Sequence, residues 1–185
     1  MNTSVSSESR RERFEAIAAE VFEPLQRYLG RRALASDAED ALADTMLTVW
    51  RRVDDAPHEQ VLPWCYGIAR RTLANQRRSQ RRHLRLLQRI ESEPRLTSIP
   101  DPADAGPDPE LTTSLAALGH DHQEILRLWA WERLEPRDIA PVLDISVNAA
   151  TLRLARAKKR LSTHLSRQNH SDAGHITVEG TQESR

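Results

Sequence analysis

The chain has one cysteine, Cys65, in 185 residues. No disulfide framework and no cysteine-based zinc site can form. Six glycines and 4% aromatic residues disfavour an all-β sandwich or barrel, which needs turn residues at short intervals and aromatic, β-branched strands. No run of about 18 apolar residues occurs, so no membrane span is expected. The first residues, with Ser4, Ser6, Glu8 and Arg10, lack the apolar stretch of a secretory signal, and a cytoplasmic location is expected. There is no glycine-rich phosphate loop, nucleophile elbow or metal motif. His120, Asp121 and His122 are the nearest approach to a metal cluster, but residues two apart on a helix face different ways. Neither an enzyme nor a cofactor is expected. Lysine is nearly missing too: apart from Lys158 and Lys159, every cation other than histidine is arginine, a bias that a G- and C-rich genome would produce.

Net charge is also lacking, since 27 Lys and Arg balance 27 Asp and Glu, but the charges are segregated. Between Trp64 and Ile90 no acid occurs, while Arg70, Arg71, Arg77, Arg78, Arg81, Arg82, Arg85 and Arg89 fall there. Between Asn148 and Asn169 there is again no acid, but Arg153, Arg156, Lys158, Lys159, Arg160 and Arg167 are present. The balancing acids lie elsewhere, among them those of 37–55 and 91–110. Such a chain can offer basic faces to a nucleic acid and an acidic face to a basic partner.

Apolar periodicity predicts an all-α protein of two small helical domains. Residues 1–12 are polar and expected to be disordered. Phe14, Ile17, Ala18, Val21, Leu25, Tyr28 and Leu29 recur at helical spacing, with Pro24 positioned to kink or divide the run. Ser36 and Glu39 have the spacing of a capping box, opening a helix with Ala38, Ala41, Leu42, Thr45, Met46, Val49 and Trp50 on its apolar face. A loop over 54–63 precedes a helix from Trp64 that could run to Ile90. Five prolines among the acids of 91–110 read as an extended, self-repelling linker. A second module is expected over 111–167, and a disordered tail over 168–185.

The most specific local feature is 136–161. Ile139, Ala140 and Leu143 mark a short helix. Asp144 stands where a tight turn needs a left-handed residue, and Ser146 is a credible N-cap. Val147, Ala150, Leu154, Ala157, Leu161 and Leu165 form the inward stripe of the next helix. Ser146, Asn148, Ala149, Thr151, Leu152, Arg153, Arg156 and Lys159 lie on or beside its other face. This is the helix-turn-helix design, whose second helix enters the major groove. Asn and Arg can read base edges, and Lys158, Lys159 and Arg160 are placed to grip phosphates. The helix from Trp64 is a second nucleic-acid candidate. Its eight arginines repel one another until a polyanion relieves them, and aromatics beside a basic surface suit unstacked bases. The bland alternatives are a solvated basic face in each case, and core packing for Trp64.

In this order the parts resemble extracytoplasmic-function (ECF, group 4) sigma factors of the sigma-70 family. The run Asp37-Ala-Glu-Asp-Ala-Leu-Ala-Asp-Thr-Met-Leu-Thr-Val-Trp-Arg51 resembles their polymerase-binding helix. Trp64-Cys-Tyr-Gly-Ile-Ala-Arg-Arg-Thr-Leu-Ala-Asn75 resembles their −10 promoter helix. Ile145-Ser-Val-Asn-Ala-Ala-Thr-Leu-Arg-Leu-Ala-Arg-Ala-Lys-Lys-Arg-Leu161 resembles their −35 recognition helix.

The resemblance implies a transcription initiation factor that binds core RNA polymerase and directs it to promoters. Asp37, Asp40, Leu42, Asp44, Leu47, Trp50 and Arg51 would dock on the clamp of the large subunit. Trp64, Arg70, Arg71, Asn75, Arg77 and Arg78 would engage the opened −10 element, with the loop over 53–63 capturing a flipped base. The second module would sit on the polymerase flap and bind −35 duplex. The linker would run near the active centre, and an anti-sigma protein is a further partner the class allows. Action on promoter DNA would place the protein at the nucleoid. Val53, Arg71, Asp144 and Leu152 depart from the family wording, which usually has an aromatic, Asn, Gly and a small polar residue there. The alternative is a helix-turn-helix regulator acting without polymerase, although no dimerisation helix of the kind such proteins use is evident.

Overall fold

The computed structural model describes residues 3–90 and 109–173, and among them there are seven α-helices and no strand. The all-α expectation holds. The linker, except for its last two residues, and the tail beyond 173 lie outside the described residues. Helix α1 is Thr3–Gly30, α2 Ala35–Arg51 and α3 Val61–Ile90, with a single 3-10 turn, Val53–Asp55, before α3. In the second module α4 is Pro109–Ala116, α5 His120–Ala130, α6 Pro136–Leu143 and α7 Val147–Ala173. None of the described helices is long and apolar enough to cross a membrane.

Each module is a set of amphipathic helices with the apolar stripes turned together. In the first, Val21, Leu25, Tyr28 and Leu29 of α1 meet Ala38, Ala41 and Val49 of α2 and Cys65, Ile68 and Ala69 of α3. In the second, Ile125 and Leu128 of α5, Ile139 and Val142 of α6 and Ala150, Leu154 and Ala157 of α7 are buried together.

Several boundaries differ from the sequence expectation. The expected disordered start is instead helical from Thr3. Tertiary contacts hold its second half: Arg10 pairs with Asp54 at 3.0 Å and lies over the Trp50 ring, and Arg13 donates to the Ala56 carbonyl at 2.5 Å. Pro24 sits inside α1 without dividing it. The capping box at Ser36 is not formed. The N-cap is Leu34, with no side-chain cap hydrogen bond. The extended Leu34 backbone lets α2 start at Ala35, two residues too early for Ser36 to cap it. Helix α3 begins at Val61, with Pro63 in its first turn, where the missing N–H is tolerated. Helix α4 begins at Pro109, inside the expected linker, and α7 continues past the expected end of its module.

The two modules also pack against each other. Helix α3 lies along α6, and Gly67 of α3 faces the α6 backbone. A Cβ there would meet the Pro141 carbonyl oxygen at 3.4 Å and the Val142 Cα at 3.7 Å.

Candidate nucleic-acid interface

The helix-turn-helix has the local geometry its residues call for. Pro136 opens α6 at a position where its missing N–H is not needed. Asp144 closes it in the left-handed region, with φ 58° and ψ 49°. The N–H groups of Asp144 and Ile145 both donate to the Ala140 carbonyl, which satisfies the end of the helix. Ser146 Oγ then accepts from the Ala149 N–H at 3.2 Å, capping α7. On the inner side of α7, Ala150, Leu154 and Ala157 are buried and Leu161 packs against the core. Val147 does not join that stripe. It is 51% exposed at the helix start, where the turn has not yet brought α7 against α6.

The outer side of α7 is open. Asn148, Thr151, Leu152, Arg156 and Lys159 are exposed, as is Ser146, while Ala149 is half-buried beside the cap. Arg153 is partly covered and lies 3.9 Å from the Asp121 carboxylate. Lys158 is turned elsewhere, with Nζ 3.4 Å from the centre of the Trp129 ring, a cation–π contact. It therefore grips the module's own surface and is withdrawn from the phosphate-binding set.

Helix α3 presents a different picture. Trp64 is half-buried against the core with the Arg52 guanidinium over its ring at 5.6 Å, which favours a packing role for it. Arg70 is half-buried, and Asn75 and Arg78 are exposed. Arg71 reaches to 3.8 Å from the Asp144 carboxylate of the other module. Arg77 donates to the backbone carbonyl of Arg32. These arginines, with Arg81, Arg82 and Arg85, line a cleft of about 670 Å³ whose far wall includes His120 and Glu124. Among the described residues, Arg71 is the one member of this set with an ion pair.

On α2, Asp37, Asp40, Asp44, Leu47 and Arg51 recur every three or four residues and so share one face. Asp40, Asp44 and Arg51 are exposed, Leu47 is 45% exposed, and Asp37 is half-buried. Trp50 flanks this face, its ring edge-on to Phe14 at 5.2 Å. Leu42 does not belong to it. It is buried in the core, since its position on the helix turns it inward with Ala38 and Ala41.

One charged group escaped the sequence reading. Arg32, just past α1, is 4% exposed. Its Nε donates to Glu124 at 3.3 Å and its Nη1 to Glu132 at 3.0 Å and to the Tyr28 carbonyl at 3.1 Å. Arg31 also pairs with Glu132, and the Tyr28 hydroxyl donates to Glu124 at 3.3 Å. Burial by itself lowers the Arg32 pKa, but Tyr28, Glu124 and Glu132 bring it above the ordinary value. Burial, with the Glu124 charge, pushes the Tyr28 hydroxyl far above its usual range. Its neighbour Tyr66 is pushed up to about 12, chiefly by burial and then by Glu132. The sequence offers no local signal for this cluster, because its members lie 92 to 101 residues apart.

Comparison with known proteins agrees with this arrangement. Residues 14–83 match the family model described as sigma-70 region 2. Two solved structures share the fold over 83% of the chain. One is the sigma factor RpoE in complex with the anti-sigma factor NepR from Bartonella quintana, at 21% identity and a TM-score of 0.60, with 96% of that chain covered. The other is CnrH in complex with the cytosolic domain of CnrY, at 22% identity and a TM-score of 0.54, with 87% of that chain covered. A search of curated proteins found no match. Residues 14–83, somewhat over a third of the chain, therefore carry a sigma-70 region 2 domain. The likeness to these two solved structures is one of fold.

Proposed function

We propose that the protein binds core RNA polymerase and directs it to promoters, reading a −35 element with α7 and an opened −10 element with α3. The observation that carries this reading is the union, in one chain, of a sigma-70 region 2 domain over 14–83 with a helix-turn-helix whose outer face is open. Residues 13–90 act as the −10 and docking module, and 111–167 as the −35 module on the polymerase flap.

The placement of the side chains supports these roles. Asn148, Thr151, Leu152 and Arg156, with Arg153 at the margin, face the base edges of duplex DNA. Asn and Arg supply paired hydrogen bonds, and Leu152 offers apolar contact to a thymine methyl. Arg70, Arg71, Asn75, Arg77 and Arg78 meet the −10 strand. Asp37, Asp40 and Asp44, with Leu47, Trp50 and Arg51, dock on the clamp of the large subunit: the acids meet basic groups and the exposed Leu47 and Trp50 add apolar contact. Such work places the protein in the cytoplasm, at the nucleoid. An anti-sigma protein is a natural partner, because RpoE was solved with one.

The test is co-purification with core polymerase. A stoichiometric complex is expected, and it should weaken at least tenfold when Asp40 and Asp44 are both replaced by Ala while the far-UV spectrum is unchanged. A chain that binds promoter duplex but never binds core polymerase would instead be a conventional helix-turn-helix regulator.

A further inference from the structure

We propose that the cleft between α3 and α5 is a binding site for the phosphate chain of a small polyphosphate. Seven arginines of α3 line it together with Arg32, and its volume is about 670 Å³. That lies within the roughly 300–1,000 Å³ of small-molecule sites, and a duplex does not fit inside it. Glu124 is the one acid on its wall, and that carboxylate is already paired with Arg32 at 3.3 Å. Among the described residues, Arg71 alone of the seven has an ion pair, 3.8 Å from Asp144. The cleft therefore carries a large uncompensated positive charge, which draws in and concentrates anions.

Two further features of the walls suit phosphate oxygens. Arg32 is 4% exposed, and its Nη2 is buried with no hydrogen-bond partner among the described residues. A buried donor left unpaired is costly, and an anion oxygen reaching the wall at Arg32 satisfies it. On the far wall α5 opens at His120, and no side chain caps it at Gly119. The start of a helix has unpaired N–H groups and the positive end of the helix dipole, both favourable to phosphate. Asp121, in the same turn, lies 3.9 Å from Arg153 and does not line the cleft.

The spacing of the arginines selects an extended anion. Arg70, Arg77, Arg81 and Arg85 recur at helical intervals and so share one side of α3. From first to last they span about 22 Å along the helix axis. Orthophosphate meets one or two of these groups. A chain of phosphates meets several at once, and each guanidinium can grip phosphate oxygens with two parallel N–H groups. The one tyrosine on the wall, Tyr28, is fully buried, so the cleft offers charge rather than a stacking platform for a base. Arg70, Arg71, Arg77 and Arg78 are also the groups assigned above to the −10 strand, so a bound polyphosphate and that strand exclude each other. This consequence rests on the −10 role proposed above, and the binding itself does not.

The experiment is calorimetric titration of the full-length chain with orthophosphate, tripolyphosphate and ATP at about 0.15 M salt. Tripolyphosphate is expected to bind one per chain and about tenfold or more tighter than orthophosphate. ATP binding at least as tightly points to a nucleotide as the source of the phosphate chain, and weaker binding to free polyphosphate; both support the site. Arg78→Gln with Arg81→Gln, both exposed, should weaken tripolyphosphate about tenfold at unchanged helicity. Arg156→Gln with Lys159→Gln removes the same charge from the open face of α7 and should leave that affinity within about twofold. No saturable binding, or equal losses from the two pairs, would overturn the site. A single-stranded DNA of about 12 bases should bind about tenfold more weakly with tripolyphosphate present at about ten times its Kd. Undiminished DNA binding would overturn the exclusion. DNA that never binds would sink the exclusion together with the −10 role, while the site stands or falls on the phosphate titrations.

Discussion

Helices α3 and α7 both carry an acid-free run of cations, yet they meet the surroundings in opposite ways. The reading side of α7 is open to solvent from Asn148 to Lys159. Many of the arginines of α3 line a cleft closed on its far side by α5. Arg71 and Arg77 are already engaged, with Asp144 and with the Arg32 carbonyl. The same sequence signal therefore marks one surface open to solvent and another that lines a cleft. Charge patterning locates a basic face, but whether that face is free is decided by contacts between distant parts of the chain.

The largest expected effect sharpens the orientation of α7. Leu154→Ala removes a side chain that is 6% exposed and should cost about 2–5 kcal/mol of stability by urea unfolding. Leu152→Ala, on the open face at 49% exposure, should cost under about 0.5 kcal/mol. Comparable losses at the two positions would mean that the helix is rotated from its place here. Next come the base contacts. Arg153→Ala and Arg156→Ala should each weaken −35-dependent binding by about 1–3 kcal/mol and leave core binding intact, and equal loss of both would remove them from the reading face.

Smaller again is the contrast between two serines. Ser146→Ala should cost about 1 kcal/mol, because its hydroxyl caps α7. Ser36→Ala should cost close to nothing, because no side-chain cap forms at α2. The smallest effect under ordinary conditions is the response to alkali. Cys65 and Tyr66 are held protonated by burial, each pushed up to about 12 from ordinary values of 9 and 10. The unfolded chain loses these protons first, so their contribution is complete below pH 9 and falls as pH rises from 9 towards 12. Thermal scans should therefore be flat for these groups near neutrality and decline above pH 9, and Cys65 should react with a thiol reagent at pH 8 only as fast as the protein opens.

Local chemistry was legible in the sequence. The left-handed Asp144, the Ser146 cap and the buried Ala150, Leu154 and Ala157 depend on residues a few positions apart, and the structure has them. The register of α2 was legible as well, but the direction of Leu42 was not. An apolar residue between two acids fits either a core or a docking face, and only the packing of α1 and α3 decides. Ser36 failed as a cap because Leu34 could start the helix sooner, a competition of backbone conformations that side-chain spacing does not express. The helical start at Thr3 depends on Arg10 and Arg13 finding partners about 40 residues away. The Arg32 cluster was invisible for the same reason on a larger scale, and its two arginines looked like ordinary cations at a helix end.

The most direct test is run-off transcription with the purified chain and core polymerase, on a promoter mapped by transcript ends after overexpression. The account predicts a transcript that requires the added chain and is lost when either the −35 or the −10 element is scrambled. A transcript indifferent to both elements, or no transcript from a chain that is folded, would contradict it.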